Sequence, residues 1–186
     1  MNIKSLLKKL NAYSEGVDCI AEQSAIDAWN NCDQGDWMLC IAKKQGIDLK
    51  VLTLAKVRCA RLVEHLMTDQ RSINALVAAE KFANGEITRE ELDAAAYAAN
   101  DAANAANDAA NAAYAANATY SADAADAAYA AADASTAYDV GTYDAAAAAA
   151  TASCATASRK ETLLKCANIC RETIPFDLLK IEESQC

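Results

Sequence analysis

The stretch that decides the fold runs from Asp93 to Ala115 and reads DAAAYAANDAANAANDAANAAYA. Alanine is the strongest helix former because it has no side-chain rotamers to lose, so this composition predicts a helix. The composition continues to Ala157: more than half of residues 94–157 are alanine, none is Lys or Arg, and Val140 is the only large aliphatic residue. An ordinary amphipathic helix packs through Leu or Ile. In this tract the residues that interrupt the alanine indicate which side of the helix packs.

The interruptions have a helical period. Larger side chains recur at steps of three and four, which places them on one face of a helix with Asp101 and Asp108 beside them. These positions are the candidate binding residues of the tract: Tyr97, Asn100, Asn104, Asn107, Asn111 and Tyr114 in a first run, and Asp126, Tyr129 and Asp133 in a second.

Two arrangements of this polar stripe are open. Either the alanine faces pack together and the stripe faces water, or the stripes face each other and line a polar cleft. The first is favoured, because buried polar groups must find partners or cost stability. The tyrosine side chains leave the polar cleft possible, because a phenol beside amides and carboxylates suits recognition of sugars, nucleotides or peptides.

The chain has 186 residues but only one Pro and five Gly, and no segment alternates β-branched and polar residues. This scarcity of helix breakers predicts an all-α, single-domain helical bundle with closely packed Ala-rich helices. We expect an N-terminal helical part at 1–88, Ala-rich helices at 89–157, and a C-terminal helix and tail at 158–186 that pack back on the core.

Capping residues predict where the helices begin. The expected helices run over 18–31, 37–44, 49–67, from 73 to a close at Asn84-Gly85, from 89 onward, and over 158–173 before Pro175. Their expected N-caps are Asp18, Asp36, Asp48, Ser72 and Thr88, the last in a capping box with Glu91.

Charge is unevenly distributed along the chain. The formal net charge is −9, and between Glu90 and Ser158 there are ten acidic residues and no basic ones. The remainder carries sixteen acids and seventeen bases and is nearly neutral. The acidic tract argues against nucleic-acid binding through that surface and fits either a basic partner or a solubilising role.

The expected cellular compartment follows from two sequence signals that the chain lacks. It has no run of eighteen apolar residues and no signal-peptide pattern near Met1, so we expect a cytoplasmic protein that does not contact membranes. Its eight cysteines are then expected to be reduced, mostly as buried thiols. A zinc site built from Cys166 and Cys170 with Cys154 or Cys186 is the weaker alternative, and no cofactor is expected.

Catalytic signatures are weak. His65 is the only histidine, which excludes sites that need two, and there is no Gly-rich phosphate loop. We therefore predict a protein that is not an enzyme. Outside the alanine tract, Trp37, Arg58 and Arg61 form the densest functional pattern: they are interpreted as a core residue and ion-pairing arginines, or alternatively as an anion or partner site.

From about residue 20 onward, the chain outside the alanine tract contains five short motifs: Ala28-Trp29, Cys32-Asp33-Gln34-Gly35-Asp36-Trp37-Met38-Leu39, Cys59-Ala60-Arg61, Lys165-Cys166-Ala167-Asn168-Ile169-Cys170-Arg171 and Ile174-Pro175. These motifs resemble a family of bacterial and phage immunity proteins. The resemblance implies a helical protein that neutralises a toxin by binding, and it brings no catalytic residues.

Three functional hypotheses follow. The first is an immunity or inhibitor protein that binds a protein toxin or effector through its acidic helical face. The second is a phage-type sponge that sequesters a small nucleotide-like immune signal in a polar cleft. The third is a structural or surface-binding Ala-rich protein. A homo-oligomer is compatible with each.

Overall fold

The computed structural model describes residues 24–115 and 156–181. Within these two ranges the chain forms six α-helices and no strand, which confirms the all-α prediction for this part. Two short 3₁₀ turns, Glu64–Leu66 and Phe176–Leu179, follow the third and sixth helices. The helices are α1 (Ala25–Asn31), α2 (Gly35–Lys44), α3 (Leu49–Arg61), α4 (Gln70–Asn84), α5 (Arg89–Ala115) and α6 (Thr156–Thr173).

Three predicted helix boundaries are confirmed by their capping contacts. Asp48 caps α3 and accepts hydrogen bonds from the backbone N–H groups of the first turn. Gly85 ends α4 in the left-handed conformation at φ 79°, which glycine adopts without steric cost. At the start of α5, Thr88 N donates to Glu91 Oε2 at 2.8 Å and Glu91 N donates to Thr88 Oγ1 at 3.3 Å, the reciprocal pattern of a capping box.

Other boundaries differ from the prediction. The predicted helix over 18–31 is interrupted at Ser24, which is extended and accepts a hydrogen bond from Asp27 N, so that α1 begins at Ala25. The predicted cap Asp18 lies outside the described residues. Helix α4 is capped by Asp69 and not by Ser72, which lies buried within the first turn. Asp36 does not cap α2; that helix already begins at Gly35.

Helix α3 ends six residues earlier than expected, at Arg61 instead of Met67. Its backbone tightens, since Leu62 N and Val63 N donate to carbonyl oxygens three residues back, at 3.1 Å each. This turn brings Val63 into the core at 2% exposure. Apolar spacing alone does not reveal such a tightening, because Val63 and Leu66 continue the helical period.

Helix α3 is central and is buried on two sides. One side packs against α2 and α6, the other against α4, which in turn packs along α5. The first core, between α1, α2, α3, α6 and the C-terminal tail, is built on the large buried side chains of Trp29, Met38, Leu39, Ile174 and Leu179. The second core lies between α3, α4 and α5, around Val57, Leu76, Phe82 and Leu92.

Gly35 brings α2 and α6 into unusually close contact. A Cβ atom at this position would lie 2.3 Å from Cys166 Cβ and 2.7 Å from the backbone N of Ala167, closer than atoms can pack. Cys170 Sγ donates to the Gly35 carbonyl oxygen at 3.7 Å across the same contact. The sequence Cys-Asp-Gln-Gly-Asp-Trp therefore needs its glycine for helix packing.

Arg171 of α6 fastens α1 to the first core. Its Nη1 donates to the carbonyl oxygens of Trp29, at 3.2 Å, and Cys32, at 2.7 Å, which lie at the C-terminal end of α1. A cation at this end also interacts favourably with the helix dipole. As predicted, the tail after Pro175 docks on the core: Leu179 is fully buried and Ile181 is 9% exposed.

None of the helices within residues 24–115 and 156–181 has the length and apolarity to span a bilayer.

Candidate functional site

Helix α5 presents its alanines inward and its polar residues outward. Ala96, Ala99 and Ala103 are buried, with Ala99 against Ala75 of α4. On the opposite side of α5 the side chains are exposed: Tyr97, Asn100, Asp101 and Asn104, here called the polar face of α5. Of the two arrangements left open by the sequence, this part of the stripe adopts the solvated one.

The structure leaves the rest of the stripe undescribed. Helix α5 continues through Asn107, Asn111 and Tyr114, but the described side chains end at Ala105. Asp126, Tyr129 and Asp133 lie outside the described residues altogether. Their role in binding stays a prediction.

Tyr97 is the most exposed large hydrophobic side chain among the described residues, at 67% exposure. Most aromatic side chains gain stability from burial, so a phenol this exposed is available for contact with another molecule. Asp101 lies one helical turn away and is exposed as well. The sequence prediction left Asp101 out of the candidate residues, although its four-residue spacing from Tyr97 places it at the centre of the face.

The N-terminal half of α5 is dominated by negative charge. Hydrogen bonds with its own backbone N–H and with Thr88 lower the pKa of Glu90, which keeps it ionised. Asp93 is part of a long ion pair with Arg89, 3.9 Å between Oδ2 and Nε. Near Asp101, Arg71 is held by Asp69: its Nε and Nη2 donate to that carboxylate at 2.7–3.2 Å.

Arg58 and Arg61 are both engaged by carboxylates. Arg58 donates to Glu172 Oε2 at 2.5 Å and to Thr173 Oγ1 at 2.7 Å, which joins α3 to α6. These contacts match the ion-pairing interpretation of the arginines.

Arg61 makes the more extensive contacts of the two. It forms a fork on Glu80, Nε to Oε1 at 2.9 Å and Nη2 to Oε2 at 2.6 Å, and its Nη1 donates to Glu64 at 2.7 Å. These hydrogen bonds raise the pKa of Arg61 further above its usual range. Because all three polar nitrogens of the guanidinium already bind carboxylates, an added anion would have to displace them.

Trp37 and its neighbour Asp36 lie in the first turn of α2. The Trp37 side chain is half-buried, and its backbone N donates to Asp36 Oδ1 at 2.9 Å. Asp36 is 4% exposed, and burial raises the pKa of its carboxyl above the ordinary value. Met38, the next residue, is fully buried, so the Trp-Met-Leu motif mainly supplies core side chains.

Three thiols meet in the first core. Cys59, Cys166 and Cys170 are fully buried and free. Hydrogen bonds with the other two thiols, together with burial, raise the pKa of Cys59 well above its ordinary value. Among residues 24–115 and 156–181 no group of three or more potential ligands is arranged to hold a metal ion; Cys154 and Cys186, the other half of the zinc alternative, lie outside these ranges.

Comparison of the chain with protein-family models, curated proteins and solved structures found no match. The basis for a function is therefore the chemistry of the described surface. On that surface the polar face of α5 combines an exposed aromatic ring, exposed amides and an exposed carboxylate on one rigid helix.

Proposed function

We propose that this chain is a non-enzymatic binding protein of the immunity or inhibitor type, which neutralises a protein toxin or effector through the polar face of α5. The observation that carries the proposal is the orientation of α5. Ala96, Ala99 and Ala103 are buried, whereas Tyr97, Asn100, Asp101 and Asn104 are exposed. Between Leu92 and Ala105 the packing of α5 uses alanine, so the ring of Tyr97 and the carboxylate of Asp101 stand on the surface, where a partner can contact them.

The shape of this face favours a macromolecule over a small ligand. Small-molecule sites are concave and bury most of the ligand, whereas these side chains stand on the outside of a straight helix about 40 Å long. A nucleotide sponge would also need cations for the phosphates. Arg58 and Arg61, two of the candidates for that task, are bound to Glu172 and Glu80.

Charge indicates the kind of partner. After Arg89, helix α5 contains five acids and no base, so the electrostatic potential along the helix attracts a basic surface. Complementary charge speeds encounter and suppresses wrong partners more than it adds affinity. We therefore expect a basic toxin or effector, and binding that weakens as the salt concentration rises.

The cellular setting is part of the same proposal. The five cysteines that the structure describes are free, as is usual in a reducing cytoplasm. A cytoplasmic immunity protein of a bacterium or phage, as the resemblance of the Trp-Met-Leu and Cys-Ala-Arg motifs suggests, would meet its toxin there.

Site-specific photo-cross-linking tests the proposal. A benzophenone amino acid is placed at Tyr97 of the full chain, and at Lys160 of α6, an exposed position away from the polar face, as the control. When cells of its own host are irradiated, we expect a discrete protein adduct from position 97 that is absent from position 160. When a lysate is irradiated instead, the adduct should be weaker in about 0.5 M salt than at low salt, because screening is strong in that range.

The captured protein is then expressed alone and together with the chain. We expect it to arrest growth alone and to be tolerated with the chain, but not with the Tyr97→Ala, Asp101→Asn double variant. An adduct that is equally strong from position 160, or a captured protein that is harmless by itself, would contradict the proposed function.

A further inference from the structure

Tyr97 and Asp101 lie one turn apart on α5, with their Cβ atoms about 5–6 Å apart as expected for positions i and i+4. Both side chains are exposed, and no described residue forms an ion pair with Asp101. We propose that these two residues form a subsite for an arginine side chain of the partner protein. This inference rests on the proposed function and names the chemistry by which the partner is recognised.

The pair offers the two surfaces that a guanidinium group uses. The negative face of the Tyr97 ring attracts a cation placed above it, and a planar guanidinium can also stack there. The carboxylate of Asp101 can accept two parallel hydrogen bonds from the same group. A lysine ammonium is a more strongly hydrated point charge and can use neither the stacking surface nor the fork geometry. The subsite therefore discriminates arginine from lysine.

The neighbouring charges leave Asp101 available. Arg71 of α4 is close enough for a Coulomb interaction with Asp101, but its guanidinium is occupied by Asp69, 2.7 Å from Nη2 to Oδ2. Arg71 therefore reduces the negative potential at Asp101 without occupying its oxygens. Arg89 lies twelve residues before Asp101 on the same helix, about 18 Å along its axis, and forms an ion pair with Asp93.

Charge also decides between a basic partner and a second copy of the chain. Two copies that met through this face would bring together two α5 helices, each with five acids and no base after Arg89. Like-charge contact of this kind is unfavourable. A partner that presents arginine removes the repulsion and fills the subsite.

The test uses two synthetic Ala-based helical peptides that are identical except for four Arg or four Lys residues. Each is titrated into the ¹⁵N-labelled full chain, and amide shifts and Kd are measured at low salt. We expect shifts centred on residues 94–104 and about three- to fivefold tighter binding of the Arg peptide.

Variants assign the preference to the two side chains. Tyr97→Phe should retain the preference for arginine, because the ring remains, whereas Tyr97→Ala and Asp101→Asn should each reduce it to about twofold or less. Asp177→Asn, an exposed acid on the C-terminal 3₁₀ turn, removes the same charge elsewhere and should leave the preference unchanged.

Equal binding of the two peptides, or shifts centred outside α5, would overturn the arginine subsite. So would α5 signals that move with protein concentration and not with peptide, since the occupant would then be a second copy. These outcomes are distinct from failure of the proposed function, which is decided by the cross-link at position 97 and by growth.

Discussion

Helices α3 and α5 are packed in different ways. Around α3 both cores contain large buried side chains, such as Met38 and Leu39 toward α2 and α6 and Leu76 toward α4. Beyond Leu92, α5 meets α4 through alanine, with Ala99 against Ala75. The two cores stabilise the fold through buried area, whereas the alanine contact brings α4 and α5 close together with little area to bury.

The difference explains where a binding face can arise. Burying a Leu side chain contributes roughly 1.5–3 kcal/mol and an alanine much less, so the two cores of large side chains contribute more to stability than the alanine contact does. Between Leu92 and Ala105, helix α5 supplies only alanines to the packing. The side chains at the exposed positions of Tyr97, Asn100 and Asp101 are therefore not constrained by packing and can suit contact with a partner.

Truncating a side chain in the first core should have the largest effect. Leu39→Ala removes a fully buried side chain and is expected to lower the free energy of unfolding by about 2–5 kcal/mol, measured by urea denaturation. Leu164→Ala, at a position 43% exposed on α6, is the control and should change it by less than about 1 kcal/mol. If both variants lose a similar amount of unfolding free energy, burial in the first core does not account for the stability of the fold.

Enlarging a residue in the alanine contact should have the next largest effect. Ala99→Leu places three extra carbons where α4 and α5 meet, and overpacking of this kind costs about 1–3 kcal/mol. Ala94→Leu, on the exposed side of the same helix, should be nearly neutral. If thermal unfolding shows Ala99→Leu to be as stable as Ala94→Leu, the contact between α4 and α5 is looser than described.

Acidification should affect Asp36 of α2 and Asp69, the N-cap of α4, in opposite senses. Burial raises the pKa of Asp36, so its ionisation destabilises the folded state at neutral pH, and this cost disappears as the pH falls through the raised value toward 3.8. Hydrogen bonds from Arg71 lower the pKa of Asp69, so its stabilising contribution is present above pH 3.8 and is lost as the pH falls through the lowered value.

The matched variants are Asp36→Asn and Asp69→Asn, followed by urea denaturation between pH 7 and pH 3. Relative to its variant, the wild-type chain should gain stability in acid in the first comparison and lose it in the second. If stability changes in the same direction with pH in both comparisons, the pKa values of the two carboxyls are not shifted in opposite directions.

Removing Tyr97 should have the smallest effect on stability. The side chain is 67% exposed, so Tyr97→Ala is expected to change the free energy of unfolding by no more than about 0.5 kcal/mol. Tyr97→Phe serves as the control for loss of the hydroxyl alone. A drop above about 1.5 kcal/mol for Tyr97→Ala would mean that the ring supports the fold, and the polar face of α5 would then have a structural role.

Helix boundaries could be predicted where the local sequence offered only one residue suited to begin or end the helix. Gly85, the Thr88 and Glu91 pair and Pro175 each allow one arrangement, and each prediction is confirmed. The predictions were wrong where two good caps compete over a few residues, as Asp69 and Ser72 do at α4. The choice depends on which of them the tertiary structure buries, and local sequence does not contain that information.

The candidate site could be predicted only in part. Spacing placed Tyr97, Asn100 and Asn104 on one face, and the cost of burying polar groups favoured water over a cleft. That Arg61 binds Glu80 of the next helix could not be derived, because the partner depends on how α3 and α4 pack together. Asp101 was overlooked since Asp recurs throughout the tract as an interruption of the alanine.

The contact at Gly35 has a consequence for synthesis of the chain. Gly35 and Cys170 are 135 positions apart, so the ribosome makes α1, α2 and α3 long before α6 can cover them. Contacts between α3, α4 and α5 are close in sequence and can form early, whereas the apolar side of α2 stays open until the last helix emerges. A premature stop before α6 would leave Met38 and Leu39 uncovered, which makes the truncated product a target for chaperones and proteases.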